Sequence, residues 1–324
     1  MSGRPRFQRF LHRRRFYAQL VRIVGANLAR RGPRDAVFVS LMGGVGDLVN
    51  LFPTLDALAA QAPVELATGP YPYRALAEAH PGLARVWAPF VYKPARGPHR
   101  RLIERALAPF YARVVLLDTA DGRWWAHGRH IAATYAARCG VAPPSRGYVH
   151  LTDAHRRAAA AVARAHGLDG FVYVAQVIRR SRPLRSWPLA HWHALYERLR
   201  GVSGLPIVVD TTGSDEIAVP DFCVPLERLD ILVAAALIER ARLFLGPDSG
   251  LTHVAAALGV PTVSIHLGYP AASCRALGDS VRLVEQAAPF EDPAATTPAR
   301  VLAVAERALG EAAPPAAPPI AVRA

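Results

Sequence analysis

Short apolar segments alternate along the chain with segments in which apolar residues recur at helical spacing. The apolar segments are bounded by Gly, Pro and Asp, which is typical of strands buried inside a sheet. The predicted strands are 36–42, 64–68, 85–90, 113–118, 171–177, 207–210, 242–246, 262–266 and 281–285. Strands that alternate with helices form βαβ units, so the pattern predicts an α/β protein with parallel sheets.

The strands fall into two series, and 324 residues exceed one ordinary hydrophobic core. We predict four segments. They are a basic amphipathic leader (1–34), an N-terminal Rossmann-like domain (35–168), a C-terminal Rossmann-like domain (169–310) and a disordered Pro/Ala-rich tail (311–324). Ligands of such sheets bind outside the carboxyl ends of the strands, so the cleft between the domains is the expected site.

The leader contains ten arginines and no acidic residue, and it supplies most of the formal charge of +14. Apolar residues recur between these arginines at roughly helical spacing. Two interpretations fit: a helix that binds an anionic membrane surface, or a helix whose apolar side packs on the protein body. The charge also raises a third class, a non-enzymatic nucleic-acid-binding protein, but no nucleic-acid-binding module is recognisable.

The three cysteines, Cys139, Cys223 and Cys274, are far apart and have no ligand-like spacing. A disulfide framework or a structural zinc site is therefore not expected. No apolar run approaches the ~18 residues of a spanning helix, and no signal peptide is visible. We expect a cytoplasmic protein, peripheral at the inner membrane face if the leader binds lipid.

The segment Gly246–His253, GPDSGLTH, follows an apolar strand and opens a helix. Amides at a helix N-terminus lack intrahelical partners and carry partial positive charge, so the segment predicts a loop that binds phosphates. The predicted diphosphate-binding residues of this loop are Ser249, Gly250, Leu251 and Thr252. Asp248 and His253 are expected to support the loop or the ligand. The alternative is that Asp248 or Ser249 only caps the helix.

A second glycine-rich loop, with Gly43, Gly44 and Gly46, places Asp47 at the entrance of a helix. A carboxylate beside such a loop disfavours phosphate but suits a general base that faces a cleft. A plain N-cap is the competing explanation. In the second domain, Arg185 follows a strand and precedes Trp187-Pro188, which predicts fixed geometry for a guanidinium able to bind a diphosphate.

Three stretches resemble the heptosyltransferase-like enzymes of glycosyltransferase family 9. They are GGVGDLVNLFPTLDAL, RSWPLAHWHAL and the block that ends in GPDSGLTHVAAALGVPTVSI, and the similarity spans about residues 36–285. The resemblance implies a GT-B fold of two Rossmann-like domains that face each other across a cleft. It also implies an inverting sugar transfer, without metal or other cofactor, from a nucleoside-diphosphate donor such as ADP-heptose to a lipid-linked, lipopolysaccharide-type acceptor.

The resemblance also implies roles for residues. Asp47 matches the family's general base, Ser249 and Gly250 match the amides that hold the donor diphosphate, and Glu216 loosely matches an acid that holds the donor ribose. Two positions depart from the pattern: Arg185 stands for a lysine, and HLGYPAAS stands where F-G-x-T-x-P is usual. A GT-B nucleotide-sugar epimerase, which would need no acceptor, is the alternative function.

Overall fold

The structure, a computed structural model, describes residues 4–30, 35–91, 97–118, 124–217, 219–226 and 228–311, although the side chains of 4–13, 97 and 98 are not described. The chain forms two compact units, Met1–Pro144 and Ser145–Ala324. Nearly all of the tail predicted to be disordered lies outside the described residues. No helix within the described ranges is long and apolar enough to cross a membrane.

The first unit is built on one parallel sheet. Its strands are β1 (Val37–Met42), β2 (Val64–Ala67), β3 (Leu83–Trp87) and β4 (Arg113–Asp118), and its helices are α1 (Arg4–Leu28), α2 (Val45–Ala59), α3 (Tyr73–Glu78), α4 (Gly97–Leu107) and α5 (Ile131–Cys139). The strand order is β3-β2-β1-β4, and every pair is parallel. The predicted βαβ organisation is therefore confirmed in this unit.

The leader helix α1 packs on the body of the first unit. Phe16, Leu20 and Ile23 lie on one helix face and are almost fully buried, in one apolar cluster with Trp87 and Phe90. Of the two interpretations left open by the sequence, docking on the body therefore holds for the part of α1 whose side chains are described. The described residues of the leader, 4–30, are part of the first unit and do not form a separate segment.

A buried carboxylate ties the end of α1 to the sheet. Glu65 on β2 accepts hydrogen bonds from Trp87 Nε1 and from the Tyr111 hydroxyl, each at 2.7 Å. Asn27 of α1 donates to the same hydroxyl at 3.0 Å, and Arg30 donates to the other carboxylate oxygen at 3.2 Å. Because buried polar groups are costly unless satisfied, this network fixes the orientation of α1.

The second unit is built on a six-stranded parallel sheet. Its strands are β5 (Val172–Ala175), β6 (Ile207–Asp210), β7 (Val224–Leu226), β8 (Leu243–Pro247), β9 (Thr262–His266) and β10 (Val281–Glu285). Its helices are α6 (Asp153–Ala165), α7 (Leu189–Ser203), α8 (Ile231–Ile238), α9 (Gly250–Ala257), α10 (Ala271–Cys274) and α11 (Pro298–Glu311). The strand order is β7-β6-β5-β8-β9-β10, the Rossmann order when counted from the unit's own first strand.

The division between the units falls before residue 145, earlier than the predicted boundary at 168/169. The helix α6 belongs to the second unit because it packs against α8 through its small buried residues, Ala159 and Ala163. A paired hydrogen bond between Arg156 and Glu239, at 2.8 and 3.0 Å, reinforces this contact. Alanine-rich helices pack closely without large side chains, which obscures such contacts in the sequence.

Candidate functional site

The carboxyl ends of β5 and β8 lie side by side at the centre of the second sheet. From β5 the chain builds β6 and β7 on one side, and from β8 it builds β9 and β10 on the other. The connections therefore leave in opposite directions at this point, and such a switch point opens a crevice where open α/β sheets bind ligands. The loop after β5 carries Arg185, and the loop after β8 carries Asp248.

The loop after β8 presents a helix N-terminus at this crevice. Ser249 is extended, with φ −144° and ψ 169°, and α9 begins at Gly250. The amides of Ser249, Gly250 and Leu251 donate to no backbone carbonyl within the described ranges. These three N–H groups and the positive end of the helix dipole make this position suited to an anion.

Thr252 has a different place from the one predicted. Its side chain is buried, its hydroxyl donates to the Pro247 carbonyl at 2.5 Å, and its amide donates to the Ser249 carbonyl at 3.1 Å. Both of its donors are thus engaged inside the loop. Thr252 braces the turn, while the predicted phosphate contacts remain with Ser249, Gly250 and Leu251.

Arg185 reaches from the loop after β5 to the loop after β8. Its Nη2 donates to Asp248 Oδ2 at 2.6 Å, and the Arg185 side chain is 24% exposed. The chain beyond it is held by Trp187, which is fully buried and donates from Nε1 to the Thr296 carbonyl at 2.7 Å. The prediction that Trp187-Pro188 packs firmly is confirmed, and the anchor holds the base of the Arg185 side chain.

The Asp248 carboxylate lies at the centre of a cluster of donors. Besides Arg185, it accepts from His253 Nε2, which lies 3.3 Å from Oδ1. Burial raises the pKa of Asp248, but the hydrogen bond from His253 and the nearby cationic groups, Arg185 among them, outweigh burial and hold the pKa well below its usual value. Asp248 is therefore ionised throughout the neutral range and fixes both partners.

The structure brings two residues to this cluster that the sequence did not single out. Cys274 Sγ lies 3.8 Å from Asp248 Oδ2 and 3.9 Å from His266 Nε2. Burial lowers the pKa of His266 and so favours the neutral ring, against the opposing effect of the nearby Asp248 carboxylate. His266 is the last residue of β9, and Cys274 is the last residue of the short helix α10, which the sequence did not predict. Their spacing in the sequence therefore gave no indication that they are in contact.

Asp248, His266 and Cys274 have ligand atoms within 4.8 Å of one another, the one such group in the described part of the chain. Three ligands of this kind resemble part of a zinc site. However, the Arg185 guanidinium already lies 2.6 Å from the Asp248 carboxylate, and its full positive charge opposes a cation at the same oxygen. The arrangement favours an anion near Arg185 over a metal ion.

In the first unit, Asp47 lies at the carboxyl edge of the sheet, beyond β1. Its Oδ2 accepts from the Gly44 amide at 2.5 Å, so α2 begins at Val45, three residues before the predicted start. The carboxylate folds over Gly43, where an added Cβ would lie 2.6 Å from Oδ2. The N-cap explanation thus describes part of the role of Asp47. A carboxylate has about four acceptor positions, so the hydrogen bond from the Gly44 amide is compatible with a second role as a base.

Glu216 lies on the β6 side of the switch point, at the protein surface. Its carboxylate accepts from Arg180 Nε at 3.2 Å, and its backbone carbonyl accepts from Ser214. In Rossmann sheets the acid that binds a ribose follows the second strand, which here is β6. The position is consistent with the predicted nucleoside contact, which stays a prediction.

The Rossmann-ordered second unit, with a helix N-terminus and a fixed arginine at its switch point, defines a binding site of the nucleotide type. The sequence profile of Glycosyltransferase family 9 (heptosyltransferase) matches residues 127–293, just over half of the chain. The chain therefore belongs to glycosyltransferase family 9 and is a glycosyltransferase. A search of curated proteins gives no match.

Solved structures agree on the fold. A glycosyl transferase family 9 protein from Veillonella parvula has a TM-score of 0.68 at 14% identity, covering 87% of this chain and 99% of that chain. The E. coli ADP-heptose lps heptosyltransferase II has a TM-score of 0.62 at 18% identity, covering 85% of this chain and 98% of that chain. The E. coli heptosyltransferase WaaC with ADP has a TM-score of 0.54 at 17% identity, covering 84% of this chain and 99% of that chain. The predicted GT-B fold, with two parallel sheets, is confirmed.

Proposed function

We propose that the protein is an inverting, metal-independent heptosyltransferase, which moves heptose or a related sugar from a nucleoside-diphosphate donor to a lipid-linked glycan acceptor of the lipopolysaccharide type. The observation that carries the proposal is the Arg185–Asp248 pair beside the N-terminus of α9. ADP-heptose is the first donor to test, because similar structures are named for ADP-heptose or contain ADP.

The proposed reaction is a single displacement. The acceptor hydroxyl oxygen forms a bond to the anomeric carbon as the bond from that carbon to the diphosphate oxygen breaks. Asp47 takes the hydroxyl proton, and Arg185 with the amides of Ser249, Gly250 and Leu251 stabilises the charge that develops on the departing diphosphate. Fixed donors of this kind supply the stabilisation that a metal ion supplies in other transferases.

The donor half of the proposal is tested by thermal melting of the full-length chain with ADP, UDP and GDP. A ligand that binds only the folded state stabilises it, by about 2.7 kcal/mol at a concentration of 100 Kd. We expect ADP to raise the melting temperature most and Arg185→Met to reduce the shift, because the amides at the start of α9 remain to bind the diphosphate. Arg282→Met, which removes a surface arginine paired with Glu311 at 3.0 Å, is the control.

Transfer itself requires an acceptor. With ADP-heptose and an inner-core lipopolysaccharide acceptor, we expect release of ADP that depends on the acceptor. Conversion of the nucleotide-sugar in the absence of any acceptor would instead support the epimerase alternative. Salt-sensitive binding of DNA or RNA with no nucleotide response would favour the nucleic-acid-binding class.

A lipid-linked acceptor places the enzyme at the cytoplasmic face of the inner membrane, and α1 offers a surface for that contact. Tyr17, Val21 and Leu28 lie along one exposed face of α1, with exposed fractions of 46%, 68% and 65%. Arg14, about one turn before Tyr17, is exposed next to this face. An apolar stripe with an adjoining arginine suits an anionic bilayer surface, even though another face of α1 is buried in the protein.

The membrane proposal predicts co-sedimentation with vesicles that contain phosphatidylglycerol and weak binding to phosphatidylcholine vesicles. Val21→Ser with Leu28→Ser removes exposed apolar area from the stripe, and we expect about tenfold weaker binding. The control is Val202→Ser with Ile217→Ser, which changes two exposed apolar residues of the second unit. Equal loss in both double variants, or none in either, would contradict a role for α1.

A further inference from the structure

We propose that Tyr269 is a positioning residue for Arg185, and that the two form one coupled unit which grips the donor diphosphate. The proposal rests on the function proposed above. Arg185 and the Gly268-Tyr269-Pro270 segment are the two departures from the family pattern, and the structure brings them into contact. The Arg185 guanidinium carbon lies 4.9 Å from the centre of the Tyr269 ring.

The segment that carries Tyr269 wraps closely around the Arg185 side chain. Gly268 has φ +89°, and a Cβ added there would lie 2.6 Å from Arg185 Cγ and 3.3 Å from Cδ. Only glycine combines this backbone conformation with so close an approach. The stem of Arg185 and the backbone of residue 268 therefore fit each other, independently of the contact with the ring.

The Tyr269 ring is itself held in place. The Phe290 ring meets it edge-on, with centroids 5.3 Å apart. The Phe290 amide donates to the Gly268 carbonyl at 2.8 Å, and the Gly268 amide donates to Gln286 Oε1 at 2.8 Å. Because these contacts already fix the Tyr269 ring, the ring holds the guanidinium in one orientation before a ligand binds. Binding then costs little side-chain entropy.

Arg185 is thus held on two sides, by the Asp248 carboxylate at 2.6 Å and by the face of the Tyr269 ring. A planar guanidinium gains from both contacts, because it donates within its plane and stacks through its face. A lysine ammonium has no plane to stack. The structure therefore explains why arginine suits position 185 when tyrosine occupies position 269.

The test is a double-mutant cycle on the Kd of the full-length protein for ADP, measured by calorimetry. Tyr269→Leu is expected to weaken binding about three- to tenfold, the size of a partly desolvated cation–π contact. Tyr269→Phe keeps the ring and should bind like the unmodified protein. In an Arg185→Met background, which has no guanidinium, Tyr269→Leu should have no further effect.

The matched control is Phe222→Leu, because the Phe222 ring lies 4.7 Å from the Arg200 guanidinium, a similar pair elsewhere in the second unit. That variant should leave the Kd for ADP unchanged. Normal binding by Tyr269→Leu, or losses that add in the double variant, would overturn the coupling while the proposed function stands. An unmodified protein that binds no nucleoside diphosphate would overturn the proposed function, and this inference with it.

Discussion

Asp47→Asn is expected to lower the kcat of sugar transfer by about 10²- to 10⁴-fold, the range of a general base, with the Kd for ADP changed less than twofold. Asparagine has the shape of aspartate, and its side-chain oxygen still accepts a hydrogen bond. The contact with the Gly44 amide, and with it the start of α2, is therefore preserved. What the variant lacks is a group that can take a proton at neutral pH.

The measurement is steady-state transfer with saturating donor and acceptor, paired with calorimetric titration of ADP. Asp153→Asn is the control, since Asp153 is also an acid in the first turn of a helix, but on the surface of the second unit. Its kcat should equal that of the unmodified enzyme. Full turnover by Asp47→Asn would reduce Asp47 to a residue that only shapes the loop and the helix start.

The sheets were predictable from the sequence because their strands are buried runs of apolar residues. The strands Arg113–Asp118, Ile207–Asp210 and Val281–Glu285 have the predicted bounds. The strand β7 escaped prediction because it has three residues and contains Pro225, which is tolerated there because β7 is an edge strand. Short edge strands lack the apolar run that marks the others.

The phosphate loop was predictable because its features are local in the chain. The loop follows a strand and opens a helix, and the helix N-terminus leaves the amides of Ser249, Gly250 and Leu251 without intrahelical partners. The setting of Arg185 was not predictable in the same way. Its partners Asp248 and Tyr269 lie 63 and 84 positions away, and only packing of the loops after β8 and β9 brings them to it.

The packing of α1 on the protein body is also decided by tertiary contacts. Its arginines and apolar residues fit a membrane or a protein surface equally well in sequence. α1 docks on the body because Asn27 joins the buried hydrogen-bond network of Tyr111 and Glu65. Phe16 also packs into the apolar core that contains Phe90. These contacts join segments that are far apart in the chain and have no local signal.

Asp248→Asn is expected to destabilise the protein by about 2 kcal/mol at pH 7, because it removes the charged acceptor of Arg185 and of His253. The loss should depend on pH. The folded-state pKa of Asp248 lies below the unfolded value of about 3.9, so its contribution to stability is complete above that value. The contribution then decreases as the pH falls toward the folded-state pKa.

Urea unfolding of the full-length protein and of Asp248→Asn between pH 3.5 and 8 measures this difference. The gap in free energy of unfolding should be constant from about pH 5 to 8 and should narrow below about pH 4. Glu239→Gln is the matched control, since Glu239 also binds an arginine with two hydrogen bonds, at 2.8 and 3.0 Å, but at the surface. We expect Glu239→Gln to lower the free energy of unfolding by at most about 1 kcal/mol, because solvent screens a surface ion pair. A gap at Asp248 no larger than that at Glu239, or one that does not change with pH, would mean that the ionised carboxylate does not hold Arg185 and the α9 loop together.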